Sequence, residues 1–134
     1  MIYGKAIVIA MAFLLLQALH GAKPMWDFEE VLSLEKDEVY KTSFSVAGIP
    51  KDLMLYWTLY KNYGLVVHLK YDKFPYQFVL YTDYKRKSFK IPISQGNDID
   101  KNAYILLSFR DFDEKNKRAN LALFMMLPKK LPSN

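Results

Sequence analysis

Few side chains in this sequence are equipped for catalysis. Its 134 residues include two histidines, His20 and His68, and no cysteine. His20 closes an N-terminal apolar run, which leaves His68 as the one imidazole of the remaining chain. Cys–His nucleophilic catalysis is therefore excluded, as is a zinc site built from several His or Cys ligands. A Ser-His-Asp arrangement would have to recruit His68, and no serine sits in a G-x-S-x-G elbow. The glycines Gly4, Gly21, Gly48, Gly64 and Gly96 are isolated, so no Gly-rich loop cradles a phosphate. His68 lies between Val67 and Leu69 in an alternating run, where an imidazole on a half-wet sheet face is the plain reading.

Carboxylates are the remaining candidates. Asp111, Asp113 and Glu114 form one group, Asp98 and Asp100 another, and paired acids can hydrolyse glycosides. Both groups fall in polar connecting segments, where such residues ordinarily shape turns and carry solubility. Asp98-Ile99-Asp100-Lys101-Asn102 opens like a calcium loop, but the sixth position is Ala103 and the twelfth is Phe109. A calcium loop needs Gly and Glu there. The expectation is a non-catalytic protein with no cofactor and no metal.

The positive signal is aromatic. Tyr56 and Tyr60 fall on one face of an alternating run, which continues across a turn to Val66, His68 and Lys70. Tyr71, Phe74, Tyr76, Tyr81 and Tyr84 follow closely. Tyrosine offers an apolar ring with a polar tip, suited to stacking on sugars or clasping a peptide. Cross-strand pairing that only stabilises a sheet is the competing reading. Tyr56, Tyr60, His68, Lys70, Tyr81 and Tyr84 are the candidate ligand-binding residues. Lys85-Arg86-Lys87 reads as a charged hairpin tip or an anion-binding tip beside Tyr84.

The elements that must position these residues are strands. From Val39 onward the hydrophobic period is two. Residues 53–60 alternate, Lys61-Asn62-Tyr63-Gly64 has turn chemistry, and residues 64–71 alternate again, which predicts a hairpin. Further strands are expected over residues 40–46, 76–82, 88–93, 103–111 and 118–127. Pro92 marks an edge strand or a strand end, because it cannot donate to a ladder. Residues 26–36 are ambiguous: Asp27-Phe28-Glu29-Glu30 could cap a short helix. Phe28, Glu30, Leu32 and Leu34 favour a strand instead, turning at Glu35–Glu38 into a hairpin with the next one. With seven or eight strands, short links and no helix between them, the fold class is all-β: an antiparallel sandwich or a small barrel.

The N-terminus reads as a targeting segment. Lys5 supplies a positive start, Ala6–Leu19 an apolar middle, and His20-Gly21-Ala22 the small residues before Lys23-Pro24. Residues 1–22 are thus a signal helix, cut after Gly21 or Ala22. The alternative is an uncleaved anchor, although the uncharged stretch Ala6–Ala22 is only 17 residues. A lipoprotein is excluded, since no cysteine is present to carry the lipid. Residues 23–134 form one β domain, exported to a periplasmic or secreted location.

That domain lacks disulfides, yet 19 of its residues are aromatic, each able to bury roughly 150–250 Å². Packing replaces stapling. Its 18 basic and 14 acidic residues are interleaved along the chain, which describes a solvated surface and gives no case for nucleic acid. The expected partner is a small glycan or lipid, or an unknown protein, with the membrane involved only through an uncleaved signal segment. The alternative class is an interaction, assembly or inhibitor subunit of the envelope acting through a sheet edge, the Pro92 strand and the last strand being the candidate edges.

Overall fold

The computed structural model describes residues 26–83, 85–93 and 102–128. Residues 1–22, read from sequence as a signal, lie outside the described residues, as do Tyr84 and the Asp98–Asp100 part of the calcium-like loop. Eight strands follow in order: β1 (Phe28–Glu35), β2 (Tyr40–Val46), β3 (Ile49–Lys61), β4 (Gly64–Tyr71), β5 (Phe74–Tyr81), β6 (Ser88–Pro92), β7 (Tyr104–Asp113) and β8 (Arg118–Met126). They form two four-stranded antiparallel sheets, β1-β8-β7-β6 and β2-β3-β4-β5. The all-β sandwich is therefore realised with eight strands. Every ladder except β1–β8 joins strands consecutive in sequence, so the order is that of an up-and-down barrel opened at β1/β2 and β5/β6.

Residues 26–36 resolve as a strand, but not as a hairpin with β2. Glu35–Glu38 does turn, with the Glu38 amide donating to the Glu35 carbonyl at 3.1 Å. The turn then carries the chain across to the other sheet, where the Asp37 amide donates to the Trp57 carbonyl at 2.9 Å. β1 pairs with β8 instead. Pro92 lies in an edge strand as expected, whereas the last strand, β8, is central and offers no edge.

The core sits between the sheets and is filled by side chains. Leu53, Leu55, Leu65 and Val67 from one sheet meet Leu32, Ile105, Leu107, Phe109 and Leu121 from the other, all with at most 1% of their surface exposed. Fully burying one such side chain contributes about 1.5–3 kcal/mol.

Three aromatic polar tips cross the gap. The Tyr40 hydroxyl on β2 donates to the Glu30 carboxylate on β1. Trp57 Nε1 on β3 donates to the Leu34 carbonyl at 2.9 Å, and the Tyr71 hydroxyl on β4 donates to the Ile93 carbonyl at 2.9 Å. At the β5/β6 opening, Phe78 and Phe89 stack with centroids 4.0 Å apart.

Two register shifts shape one end of the sandwich. β3 is irregular between Trp57 and Leu59, and β7 between Phe109 and Asp111. Each extra residue reverses the alternation beyond it. Tyr60 and Phe112 consequently both turn inward, and their rings stack at 4.0 Å across the two sheets.

The β3–β4 turn holds Asn62 and Tyr63 at φ 53° and 66°. Gly64 is needed for a different reason: a Cβ there would stand 2.9 Å from Tyr81 Cε1. Tyr63 is 74% exposed, so its left-handed backbone is not offset by burial. Tyr63→Gly is expected to stabilise the domain by about 1 kcal/mol, measured by urea denaturation.

Burial pushes the Glu30 carboxyl above its ordinary value, with the Tyr40 hydrogen bond pulling it partly back. The native state therefore keeps the Glu30 proton to higher pH than the unfolded chain. Stability from this group is full below the ordinary carboxyl value of 4.5 and falls as pH rises through the raised one. Glu30→Gln is expected to abolish that decline while keeping the acceptor. Tyr40→Phe should cost about 2 kcal/mol once Glu30 is ionised and about 1 kcal/mol when it is protonated. Tyr71 is pushed up to about 12 by burial, then by the Asp72 and Tyr76 charges, so stability should also decline as pH rises from 10 toward 12. Denaturant midpoints across pH for the three proteins check all of this.

Candidate functional site

The outer face of the β2-β3-β4-β5 sheet gathers the polar aromatics. Because side chains alternate, β3 presents Met54 and Tyr56 outward and β4 presents His68 and Lys70. Tyr56 and His68 are directly opposite in the ladder, and their rings lie parallel within 7° with centroids 4.9 Å apart. Thr58 Oγ1 is 3.1 Å from His68 Nε2, so the imidazole is held by a stack on one side and a hydrogen bond at its edge. Lys70 stands opposite Met54 on β3 and Pro75 on β5, and Gln77 stands opposite His68.

Two shallow grooves meet on this face. One, of about 500 Å³, is lined by Lys41, Thr42, Ser43, Asp52, Leu53, Met54, Lys70 and Asp72. The other, of about 420 Å³, is lined by Met54, Tyr56, His68, Leu69, Lys70, Pro75, Tyr76 and Gln77. Met54 and Lys70 belong to both. The result is one track across all four strands, three interstrand spacings or roughly 14 Å wide. Lys51 and Asp72 pair at its rim at 3.1 Å.

The remaining sequence candidates are distributed differently. Tyr60 does not share a face with Tyr56: the irregularity at Thr58 turns it inward, where it packs on Phe109 and Phe112. Leu59 takes the outward position and is 51% exposed. Tyr81 is outward but lies at the far end of the sheet, opposite Gly64, and the Arg86 guanidinium covers its ring at 4.0 Å. Tyr84 lies outside the described residues. Of the six candidates, Tyr56, His68 and Lys70 are brought together.

Met54, Lys41, Ser43, Asp52 and Gln77 line the track and were not singled out from sequence. Met54 and Lys41 share the outward parity of Tyr56 once β2 and β3 are paired, so a β2–β3 register would have found them. The carboxylates act locally instead. Asp113 accepts from the Lys115 and Asn116 amides at 3.1 Å and from the Asn116 side chain at 2.8 Å. The Asn116 bonds hold its carboxyl below the usual range. Asp111 accepts from Asn120 at 2.6 Å.

The other sheet's outer face carries Trp26, whose ring meets Tyr104 edge-on at 5.7 Å and Phe124 at 5.0 Å. There, Lys90 Nζ sits 4.1 Å over the Tyr104 ring. That ring face is occupied from within the domain.

No protein-family model, curated protein or solved structure matches this chain. The geometry of the track is accordingly the basis for assigning a function.

Two rings that the sequence placed together differ in role, and their energetics separate them. Tyr60→Ala is expected to cost about 3 kcal/mol because it empties a stack between the sheets. Tyr56→Ala is expected to cost under about 1 kcal/mol, since a surface ring leaves no internal cavity. Thermal and urea unfolding of the two single variants measure the difference.

Proposed function

We propose that this protein is an exported, non-catalytic binding module, periplasmic or secreted, which holds an oligosaccharide along the outer track of the β2-β3-β4-β5 sheet. The observation that carries the reading is the continuity of the two grooves through Met54 and Lys70, with the Tyr56–His68 pair beside the join. An elongated, shallow, open surface suits a chain of polar rings better than one compact cofactor. His68 and Tyr56 supply ring surface for the apolar faces of sugars. Ser43, Asp52 and Gln77 supply donors and acceptors for hydroxyls, while Lys41 and Lys70 favour a ligand that carries carboxylates.

A lipid fits less well. Acyl chains need an enclosed apolar volume, and the space between these sheets is taken by Leu, Ile, Val and aromatic side chains. The track's two carboxylates, Asp52 and Asp72, lie together at one end, and Asp72 is engaged with Lys51.

Titration of the isotope-labelled protein with oligogalacturonate and with uncharged cello-oligosaccharide tests the reading by amide chemical shifts. Shifts at Tyr56, His68 and Lys70 with the uronate, weaker ones with the neutral glycan, and at least roughly tenfold weaker binding for Lys70→Ala are expected. If neither probe moves those amides at millimolar concentration, the glycan assignment is wrong.

A further inference from the structure

The four edge strands are not equally defended against pairing. β1 carries Glu29, Glu30 and Glu35, β2 carries Lys41, and β6 carries Lys90 and Pro92. β5 reads Phe-Pro-Tyr-Gln-Phe-Val-Leu-Tyr and has no charge along its eight residues. Natural sheets blunt free edges with charges, prolines or bulges, and β5 has only Pro75 near its start. Its ladder with β4 runs from Gly64↔Tyr81 to Tyr71↔Phe74 without a register shift, so the edge is regular as well as uncharged.

The direction of the free backbone groups can be worked out. The Tyr81 amide donates away from β4, to the Arg86 carbonyl at 2.9 Å. In an antiparallel strand such groups alternate, so Val79 and Gln77 point their N–H and C=O groups to the same side as Tyr81. That side is the open edge. Val79 is 44% exposed and Phe74 37%, which makes the strand accessible. On the outer face Val79 continues a row through Val66 to Leu59, the residue turned outward by the irregularity at Thr58. Apolar side-chain surface therefore adjoins backbone that pairs with no strand among the described residues.

Charge selects the occupant. The residues that flank β5 in sequence are Lys73, Lys85, Arg86 and Lys87 against Asp72 and Asp83. Both acids are already engaged, Asp72 with Lys51 and Asp83 with Arg86, so the basic excess rests on Lys73, Lys85 and Lys87. An antiparallel second copy would bring these basic ends toward one another, whereas an acidic strand neutralises them.

We propose that the open edge of β5 is a docking site for an extended acidic polypeptide segment, which adds as a fifth strand to the β2-β3-β4-β5 sheet. The backbone of Gln77 and Val79 supplies the hydrogen bonds, the Val79–Val66–Leu59 row takes an apolar side chain, and the basic flanks take the acidic ends. This site is separate from the glycan track, apart from Gln77, whose side chain faces the track while its backbone faces the edge.

The test uses the full domain and a synthetic heptapeptide alternating Val or Thr with Glu, beside a control with Lys in place of Glu. Hydrogen exchange at the Gln77 and Val79 amides is expected to slow at least tenfold with the acidic peptide and to stay unchanged with the basic one. Val79→Lys should weaken peptide binding at least tenfold while leaving the melting temperature and the oligogalacturonate shifts intact. Loss of both peptide binding and melting temperature would make the strand merely structural and overturn the proposal. Equal protection by the two peptides, or none by either, would also overturn it. So would concentration-dependent protection without peptide, which would assign the edge to a second copy of the chain.

Discussion

Two stacked sheets have no backbone hydrogen bonds between them, and everything in this fold depends on how side chains bridge that gap. The eight strands follow the order of a closed barrel, yet two of the eight junctions lack a ladder. At β1/β2 the bridge is polar: Tyr40 reaches Glu30 and Trp57 reaches the Leu34 carbonyl. At β5/β6 it is apolar, the Phe78–Phe89 stack. Tyr40, Trp57 and Tyr71 are amphipathic in use, each ring adding to the core and each polar tip satisfying a group across the gap. This division explains how a cysteine-free domain of this size holds together. It also explains why Glu30 tolerates burial, since its carboxylate accepts the Tyr40 hydroxyl from β2.

The register shifts at Thr58 and Arg110 are the second constraint. Without them Tyr60 and Phe112 would face solvent, and that end of the sandwich would lack the 4.0 Å stack that closes it. The same shift has an external consequence. It places Leu59 outside, next to Val66 and Val79, and so makes an apolar row where alternation alone would have put a tyrosine. One inserted residue thus builds both a piece of core and a piece of surface.

This is also why the sequence was legible in some places and opaque in others. The strands announced themselves through period-two alternation, and the hairpin of β3 and β4 followed from its turn residues. Tyr56, His68 and Lys70 lie before the irregularity, where parity holds, and they do share a face. Tyr60 lies beyond it, and nothing in Leu53–Tyr60 marks Thr58 as the extra residue: it is β-branched and suits a strand wherever it falls. The β1–β2 link misled for a related reason. A four-residue turn between two strands is compatible with a hairpin or with a change of sheet. What decides is the buried company of Leu32 and Leu34 and the Trp57 contacts, all long-range. Gly64 was legible as a turn residue, but its position is fixed by the Tyr81 ring above it, which only the β4–β5 register reveals.

The distribution of charge on the β2-β3-β4-β5 sheet argues that its face and its edge were shaped separately. On the face, Lys41 and Lys70 stand among Tyr56, His68 and Met54, with the carboxylates Asp52 and Asp72 at one end. Along the edge, charge is removed from β5 and concentrated in the turns at either side. A sheet serving only as scaffold would gain solubility from a lysine in β5, as β2 and β6 have. Core packing does not forbid one, because Gln77 and Val79 are both exposed. The apolar, uncharged edge is thus a property that stability does not require, and an unprotected strand edge carries an association hazard. Retaining that hazard beside a basic rim is consistent with an edge that is covered, when the protein works, by a strand of opposite charge.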